Sequence, residues 1–358
     1  DLPIETVDMR LVEPALQVKK IAELVEADRL NQFDIGCAPL MRVKLISLDT
    51  RESGRVHVVW THHHLLMDGW CVGLLYDDLL QHYADVVAHT APREPITFDS
   101  CGYFDWLAKK DKAAAVNYWR EGLKGFNEKT SMPPTGLPAE GSHYVAGQLT
   151  KTLSKELVVE LKSWAAKNSA TLSSALRVIG GTLLSRFSDE EEVLFGTIVS
   201  GRPAELVGVQ EAIGLFINTL PVRFSLNSTI TAEQALRSLR DQANADREYE
   251  TLPLAEIQKA VGSEALFDHL LVLENYPMDE ALRGEGSQAL QSETTAPTIS
   301  SIRAYETTDY PLSVVAVPKD GLELSFLFDQ RVYSREFIGQ LGEHIEVLAK
   351  AIVRAPSQ

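Results

Sequence analysis

The stretch from Arg55 to Val86 changes its period once, and that change constrains what the chain can build. RVHVVWTHH at 55 to 63 is a β-rich run. Beyond Gly69 the apolar positions Val72, Leu75, Leu79, Tyr83 and Val86 recur every three or four residues, which is helical spacing. A strand therefore passes through a tight loop, built around Asp68-Gly69, straight into a helix. The loop sits at that helix's N-terminus, where the first N–H groups lack partners inside the helix.

The rest of the chain reads as alternating helices and strands. Val18, Ile21, Leu24 and Val25 place a first helix over Leu16 to Leu30. MRVKLISLD at 41 to 49 precedes the 55 to 63 run across a short segment holding Ser53 and Gly54, so the two are expected as antiparallel neighbours. One further helical stretch, carrying Tyr103, Phe104, Trp106, Tyr118 and Trp119, runs to about Gly125. Residues 126–147 hold Pro133, Pro134, Gly136, Pro138, Gly141 and Gly147 with almost no periodicity, the composition of a connector. This divides the chain into 1–125, the connector, and 148–358. Beyond it come helices near 154–168 and 171–187 and a strand at 193–199. Thr231 and Gln234 have the spacing of a capping box opening a helix towards Tyr249. FDHLLVLEN at 267–275 reads as a strand, LSVVAV and LELSFLF as a hairpin about Asp320-Gly321, and a terminal helix follows Ser334. Two layered α/β lobes are expected, with no repeat by period.

Charge and composition narrow the function. The 34 basic and 50 acidic residues leave a formal charge of -16, which repels phosphate backbones and anionic membrane surfaces. Neither nucleic acid nor membrane is an expected partner. No apolar run reaches bilayer-spanning length, and DLPIETVDMR lacks the basic start and apolar core of a signal peptide. Three cysteines, Cys37, Cys71 and Cys101, are too sparse for a disulfide framework and favour a reducing, cytoplasmic setting. There is no phosphate-gripping glycine loop, dinucleotide fingerprint or serine-nucleophile elbow.

The chemistry concentrates in THHHLLMDGWC at 61–71. Histidine exchanges protons near neutral pH, and a helix N-terminus beside it offers N–H groups to a developing oxyanion, a pairing that suits acyl transfer. The plainer alternative buries His62 or His63 in the core and leaves Asp68 as a helix cap; residue chemistry alone leaves both open. Three adjacent histidines also raise a metal site. Consecutive strand residues point to opposite faces, however, so they cannot converge on one ion, and none is expected.

His63-His64-Leu65-Leu66-Met67-Asp68-Gly69 matches the HHxxxDG motif, followed by the usual Trp70, and resembles the condensation domain of a non-ribosomal peptide synthetase. Tyr103 to Trp106 with AVNYWREGL, SGRPAEL at 200–206, IGLFINTLPVR at 213–223, REYETLPLAEIQ at 247–258 and LFDHLLVLENYP at 266–277 resemble that family's later motifs in order. The family's two earliest motifs are absent, so the chain is expected to begin partway through the first lobe. Cys71 stands where the family usually has Ser, and VGSEA replaces a basic-polar run before Leu266.

The resemblance implies an α/β (α+β) fold of two chloramphenicol acetyltransferase-like lobes forming a V with an active-site tunnel between them. It implies amide formation between a donor thioester and an acceptor amine. Both would ride on phosphopantetheine arms of upstream and downstream peptidyl carrier domains beside an adenylation domain, with no directly bound cofactor. His64 is then the catalytic histidine and Gly69 an oxyanion contact through its N–H. His63, Asp68 and Arg202 are structural at the site, Asp68 pairing with Arg202 or alternatively Arg223. Trp70 and Asn218 line the substrate path, although Trp70 also fits plain core and Asn218 a buried turn. The same motif and fold serve epimerisation domains and non-catalytic carrier-docking modules. The continuation WCVGLL is unlike the epimerase pattern, and the retained His63, His64, Asp68 and Gly69 argue against a docking module.

Overall fold

Three short strands open the chain, and a computed structural model describes them together with the remaining residues 1–49, 54–91, 93–94, 97–126, 129–138, 144–274, 300, 303, 305, 308 and 310–355. The chain folds as two compact units, one of residues 1–72 with 213–215, the other of 73–212 with 216–358.

In the first unit, β1 (Ile4–Asp8) runs parallel to β2 (Met41–Ser47), which pairs antiparallel with β3 (Val56–His62). The expected β2–β3 pairing is present, with Met41 opposite His62; Ser53 lies outside the described residues. Strand β1 had no sequence signal, being five residues with three acidic or hydroxyl side chains and little burial. Helix α1 (Pro14–Leu30) starts with proline at its first turn, where the missing N–H costs nothing. Its buried Gln17 donates to the carbonyls of Met9 (2.8 Å) and Leu48 (2.7 Å).

The far end of α1 is tied to the sheet by a charge. Asp28 is buried and accepts from Arg42 Nε (2.9 Å), Arg42 Nη2 (3.1 Å) and Thr61 Oγ1 (2.5 Å). Arg42 also reaches the carbonyls of Asp28 and Asn31, both at 2.7 Å. Burial alone would raise the Asp28 pKa, but the hydrogen bonds from Arg42 and Thr61 outweigh it and hold the carboxyl below the usual range. This triad fixes the end of β3 one residue before the histidines.

Helix α2 (Gly69–Val87) follows, as the period change predicted. In the second unit, the aromatic stretch read as one helix is two: α3 (Ser100–Ala108) and α4 (Lys112–Gly122). Asp99 caps the first through the Gly102 N–H, and Asp111 caps the second through the Ala114 N–H, each at 2.9 Å. A capping aspartate offers a new helix start that aromatic spacing does not reveal.

The second unit's sheet has the order β4 (Ala146–Leu153), β9 (Gly321–Asp329), β8 (Leu312–Lys319), β7 (His269–Leu273), β5 (Glu192–Val199) and β6 (Asn218–Ser225). Its β8–β7 and β7–β5 pairs are parallel, the others antiparallel. The expected hairpin is β8–β9; Gly321 turns it at φ +115, and a Cβ there would meet the Leu153 carbonyl oxygen at 2.4 Å. Within 126–147, Thr130 bridges Phe267 and Gly147 joins β4, while Gly141 lies outside the described residues, as do Asn275 of the 267–275 strand run and Tyr276 and Pro277 that complete the 266–277 motif run.

Helices α5 (Lys155–Lys167), α6 (Leu172–Ser188) and α9 (Arg335–Arg354) pack on this sheet, capped by Ser154, Thr171 and Ser334. Helix α7 (Ala232–Asp246) carries the Thr231–Gln234 capping box the sequence predicted, and α8 (Leu254–Val261) follows. Alternation buries Leu322, Leu324, Phe326 and Phe328 against Ile338, Leu341 and Ile345 of α9. Each such side chain contributes on the order of 2 kcal/mol.

Asp28→Ala leaves Arg42 without its carboxylate at a site where the Arg42 side chain is only 16% exposed. We expect a loss of about 3 kcal/mol in urea unfolding, from the uncompensated charge. Thr61→Val, which removes a single neutral donor, should cost about 1 kcal/mol.

Candidate functional site

The motif begins where the β2–β3 ladder ends. The His63 N–H still donates to the Leu40 carbonyl (2.9 Å), and the Leu66 N–H returns to the His63 carbonyl (3.0 Å), closing a turn over His63 to Leu66. His63 Nδ1 accepts from the Leu65 N–H at 3.1 Å, so the tautomer this bond assigns carries its proton on Nε2. The His63 ring stands edge-on to Phe33, centroids 6.5 Å apart, and Phe33 lies beneath the Arg42 guanidinium at 4.3 Å.

His62, His63 and His64 thus occupy three environments. His62 ends β3 half-buried, and burial, followed by the charges of His64 and His63, lowers its pKa. His63 is spent on the turn. His64 sits at the turn's second position and is exposed.

The chain then dives inward. Met67 and Asp68 are 0% and 1% exposed. The Asp68 N–H donates to the Gly214 carbonyl (3.3 Å), and the Asp68 carbonyl accepts from the Cys71 N–H (3.1 Å). Gly69 opens α2 half-buried with Trp70 beside it. The exposed-cap alternative for Asp68 does not describe a carboxylate this buried. His64, Gly69 and the start of α2 lie within six residues of chain, an arrangement able to exchange a proton and to offer helix N–H dipoles at one locus. Among the described residues no group of three or more His, Cys, Asp or Glu side chains is set to hold a metal ion.

The other sequence-singled residues belong to the second unit. Arg202 is buried, with Nη1 donating to the carbonyls of Val209 (2.6 Å) and Ala212 (2.8 Å) and the guanidinium over the Phe216 ring at 4.3 Å. Gly201 precedes it at φ +61, and a Cβ there would fall 1.7 Å from the Phe216 carbonyl oxygen, so only glycine fits. Asn218 donates to the carbonyls of Glu250 and Leu252, both at 2.8 Å, and accepts from the Thr219 N–H (2.9 Å). Arg223, the alternative partner considered for Asp68, binds Glu192 at 2.7 Å and the Gly122 carbonyl at 3.1 Å.

Sequence reading did not single out Gly214 or Asp246. Asp246, at the end of α7, accepts from the Tyr118 hydroxyl at 2.7 Å, and Tyr118 stacks on Tyr249 with centroids 4.3 Å apart. The RE at 247–248 gives no hint of a buried carboxylate one residue earlier.

With this geometry in hand, a family model described as Condensation domain matches residues 1–358. Tyrocidine synthase 2 of Brevibacillus parabrevis is 33% identical over 353 residues, covering 98% of this chain and 10% of that protein. Bacitracin synthase 3 of Bacillus licheniformis is 34% identical over 334 residues, covering 93% and 5%. The chain thus spans a tenth or less of these two relatives. A four-domain nonribosomal peptide synthetase bound to AMP and glycine superposes with a TM-score of 0.81 at 18% identity, covering 100% of this chain and 28% of that one. The first condensation domain of the calcium-dependent antibiotic synthetase, in complex with a substrate analogue, gives 0.74 at 15%, covering 99% and 76%. These likenesses establish the shared α/β fold that the resemblance implied.

Burial pushes Asp246 up to about 6, against the Tyr118 hydrogen bond and the charge of Arg177, with Glu250 adding to the rise. The carboxyl therefore holds its proton more tightly in the fold than in the unfolded chain, where the value is near 3.8. Its contribution to stability is fully present below about pH 4 and is lost as pH rises through 6, by roughly 3 kcal/mol. Asp246→Asn should flatten that slope, read as the difference between urea midpoints at pH 5 and pH 8 in the two proteins.

Proposed function

The chain belongs to the condensation-domain family, whose function is peptide-bond formation, and we propose that it joins a donor acyl thioester to an acceptor amine, each on a carrier's phosphopantetheine arm. The observation that carries this reading is the exposed His64 on a turn held by His63, directly ahead of the helix that Gly69 opens.

The acceptor amine attacks the thioester carbonyl, forming the C–N bond and a tetrahedral oxyanion. Collapse breaks the C–S bond, and the departing thiolate leaves with the proton the ammonium gives up. An amine with a pKa of about 8 is largely protonated near pH 7, so a neighbouring imidazole that accepts a proton or steadies the zwitterion lowers the barrier. His64 takes that role. The Gly69 N–H faces the oxyanion, where the absence of a Cβ permits close approach. Asp68 and His63 hold the turn, Trp70 and Asn218 border the substrate path, and donor and acceptor carriers deliver their arms from opposite sides. The carriers and a neighbouring adenylation domain are partners by the same proposal, supported by a likeness to a four-domain synthetase.

His64→Ala should slow single-turnover amide formation about 10²- to 10⁴-fold while leaving the melting temperature unchanged. Mass spectrometry of products from a panel of aminoacyl-loaded carrier pairs is the measurement. An inverted but unjoined residue would instead identify an epimerase, and a parental rate would remove His64 from the mechanism.

The resemblance pairs Asp68 with Arg202, and we carry that pairing forward as part of this proposal. Asp68→Asn and Arg202→Gln should each cost roughly 3 to 5 kcal/mol and be strongly non-additive, since independent sites add within about 0.5 kcal/mol. Additivity in a double-mutant cycle on stability rejects the pairing.

A further inference from the structure

The thiol of Cys71 stands in the first turn of α2 and is 0% exposed. Its sulfur lies 3.3 Å from Asp68 Oδ1, 3.2 Å from the Gly214 carbonyl oxygen and 3.4 Å from the Gly214 nitrogen. Gly214 therefore uses its N–H on the sulfur, while its carbonyl also takes the Asp68 N–H. From this geometry we infer that Cys71 is a positioning residue: its buried thiol clamps the 213–215 segment to the Asp68 end of the motif and so sets the turn that presents His64 and the Gly69 N–H.

The inference rests on the proposed role of His64 and deepens it. A thiol suits the place for two reasons. Burial, reinforced by the Asp68 carboxylate, raises its pKa and keeps the S–H in place as a donor. Sulfur also reaches further than oxygen from the same Cβ, so it touches three polar atoms at once. Serine keeps the donor and the acceptor but must draw the segment in by a few tenths of an ångström. Valine fills the space and can do neither, leaving the Gly214 N–H without its acceptor.

The test uses the full chain with an alanyl-loaded donor carrier and a glycyl-loaded acceptor carrier, and compares Cys71→Val with Cys71→Ser. Valine should slow single-turnover condensation about tenfold at unchanged carrier KM, while serine stays within about threefold of the parent. Amide hydrogen exchange over residues 212–216, read by mass spectrometry, should be faster by about tenfold in Cys71→Val and near parental in Cys71→Ser. That second readout needs no turnover, and Cys71→Ala serves in the exchange experiment if valine prevents folding. A parental rate with parental exchange in Cys71→Val overturns the inference, as does a serine variant no better than valine. His64→Ala in the same assay separates the two ideas. A parental rate there defeats the mechanism whatever Cys71 does, whereas loss at His64 with full activity in Cys71→Val defeats only the clamp.

Discussion

A carboxylate taken out of water at the junction of a strand and a helix sets the terms for the motif around it. Asp68 is 1% exposed, and a charge so placed has to be met by fixed partners. The backbone on either side is accordingly committed: the Asp68 N–H goes to Gly214, its carbonyl takes the Cys71 N–H, and one carboxylate oxygen meets the Cys71 thiol. With Met67 sealed beside it, the chain has little freedom between the turn at His63 and the start of α2. Rigidity of that kind is what a site needs if an exposed imidazole is to meet a reacting atom in one geometry.

The three adjacent histidines show how location assigns work to identical side chains. Strand pairing claims His62, whose half-burial disfavours its charged form. The turn claims His63, since a ring nitrogen accepting from Leu65 cannot also serve a substrate. Only His64 is left with an exposed ring at the turn's second position. The Asp28–Arg42–Thr61 triad supports this from behind, because Thr61 precedes His62 on β3 and Arg42 covers the Phe33 ring that His63 meets edge-on.

In the second unit, polar side chains are spent on holding loops. Arg202 gathers the carbonyls of Val209 and Ala212, and Asn218 grips those of Glu250 and Leu252, so two stretches of backbone are each pinned by one side chain from a run that resembles a family motif. The same economy protects the outer edge of β6. Pro221 has no N–H to offer, Thr219 is answered by the Asn218 side chain, and Gln242, with its amide oriented to satisfy both groups, pairs with the Arg223 N–H and carbonyl.

What the sequence alone determined follows from local rules. The change from a β-rich run to helical spacing across Asp68-Gly69 specifies strand, turn and helix. Thr231 with Gln234 specifies a helix start, Asp320-Gly321 a hairpin, and the ordered motifs the family. These signals survive in one dimension because each depends on neighbours within a few residues. Strand β1, the break between α3 and α4, the buried state of Asp246, and the meeting of Cys71 with Gly214 were not legible there. Cys71 and Gly214 are 143 positions apart, and Tyr118 and Asp246 are 128. Whether a cysteine, aspartate or asparagine faces water or holds a distant carbonyl is decided by which segments the fold brings against it, since desolvation and hydrogen-bond geometry belong to the assembled surroundings and not to the residue.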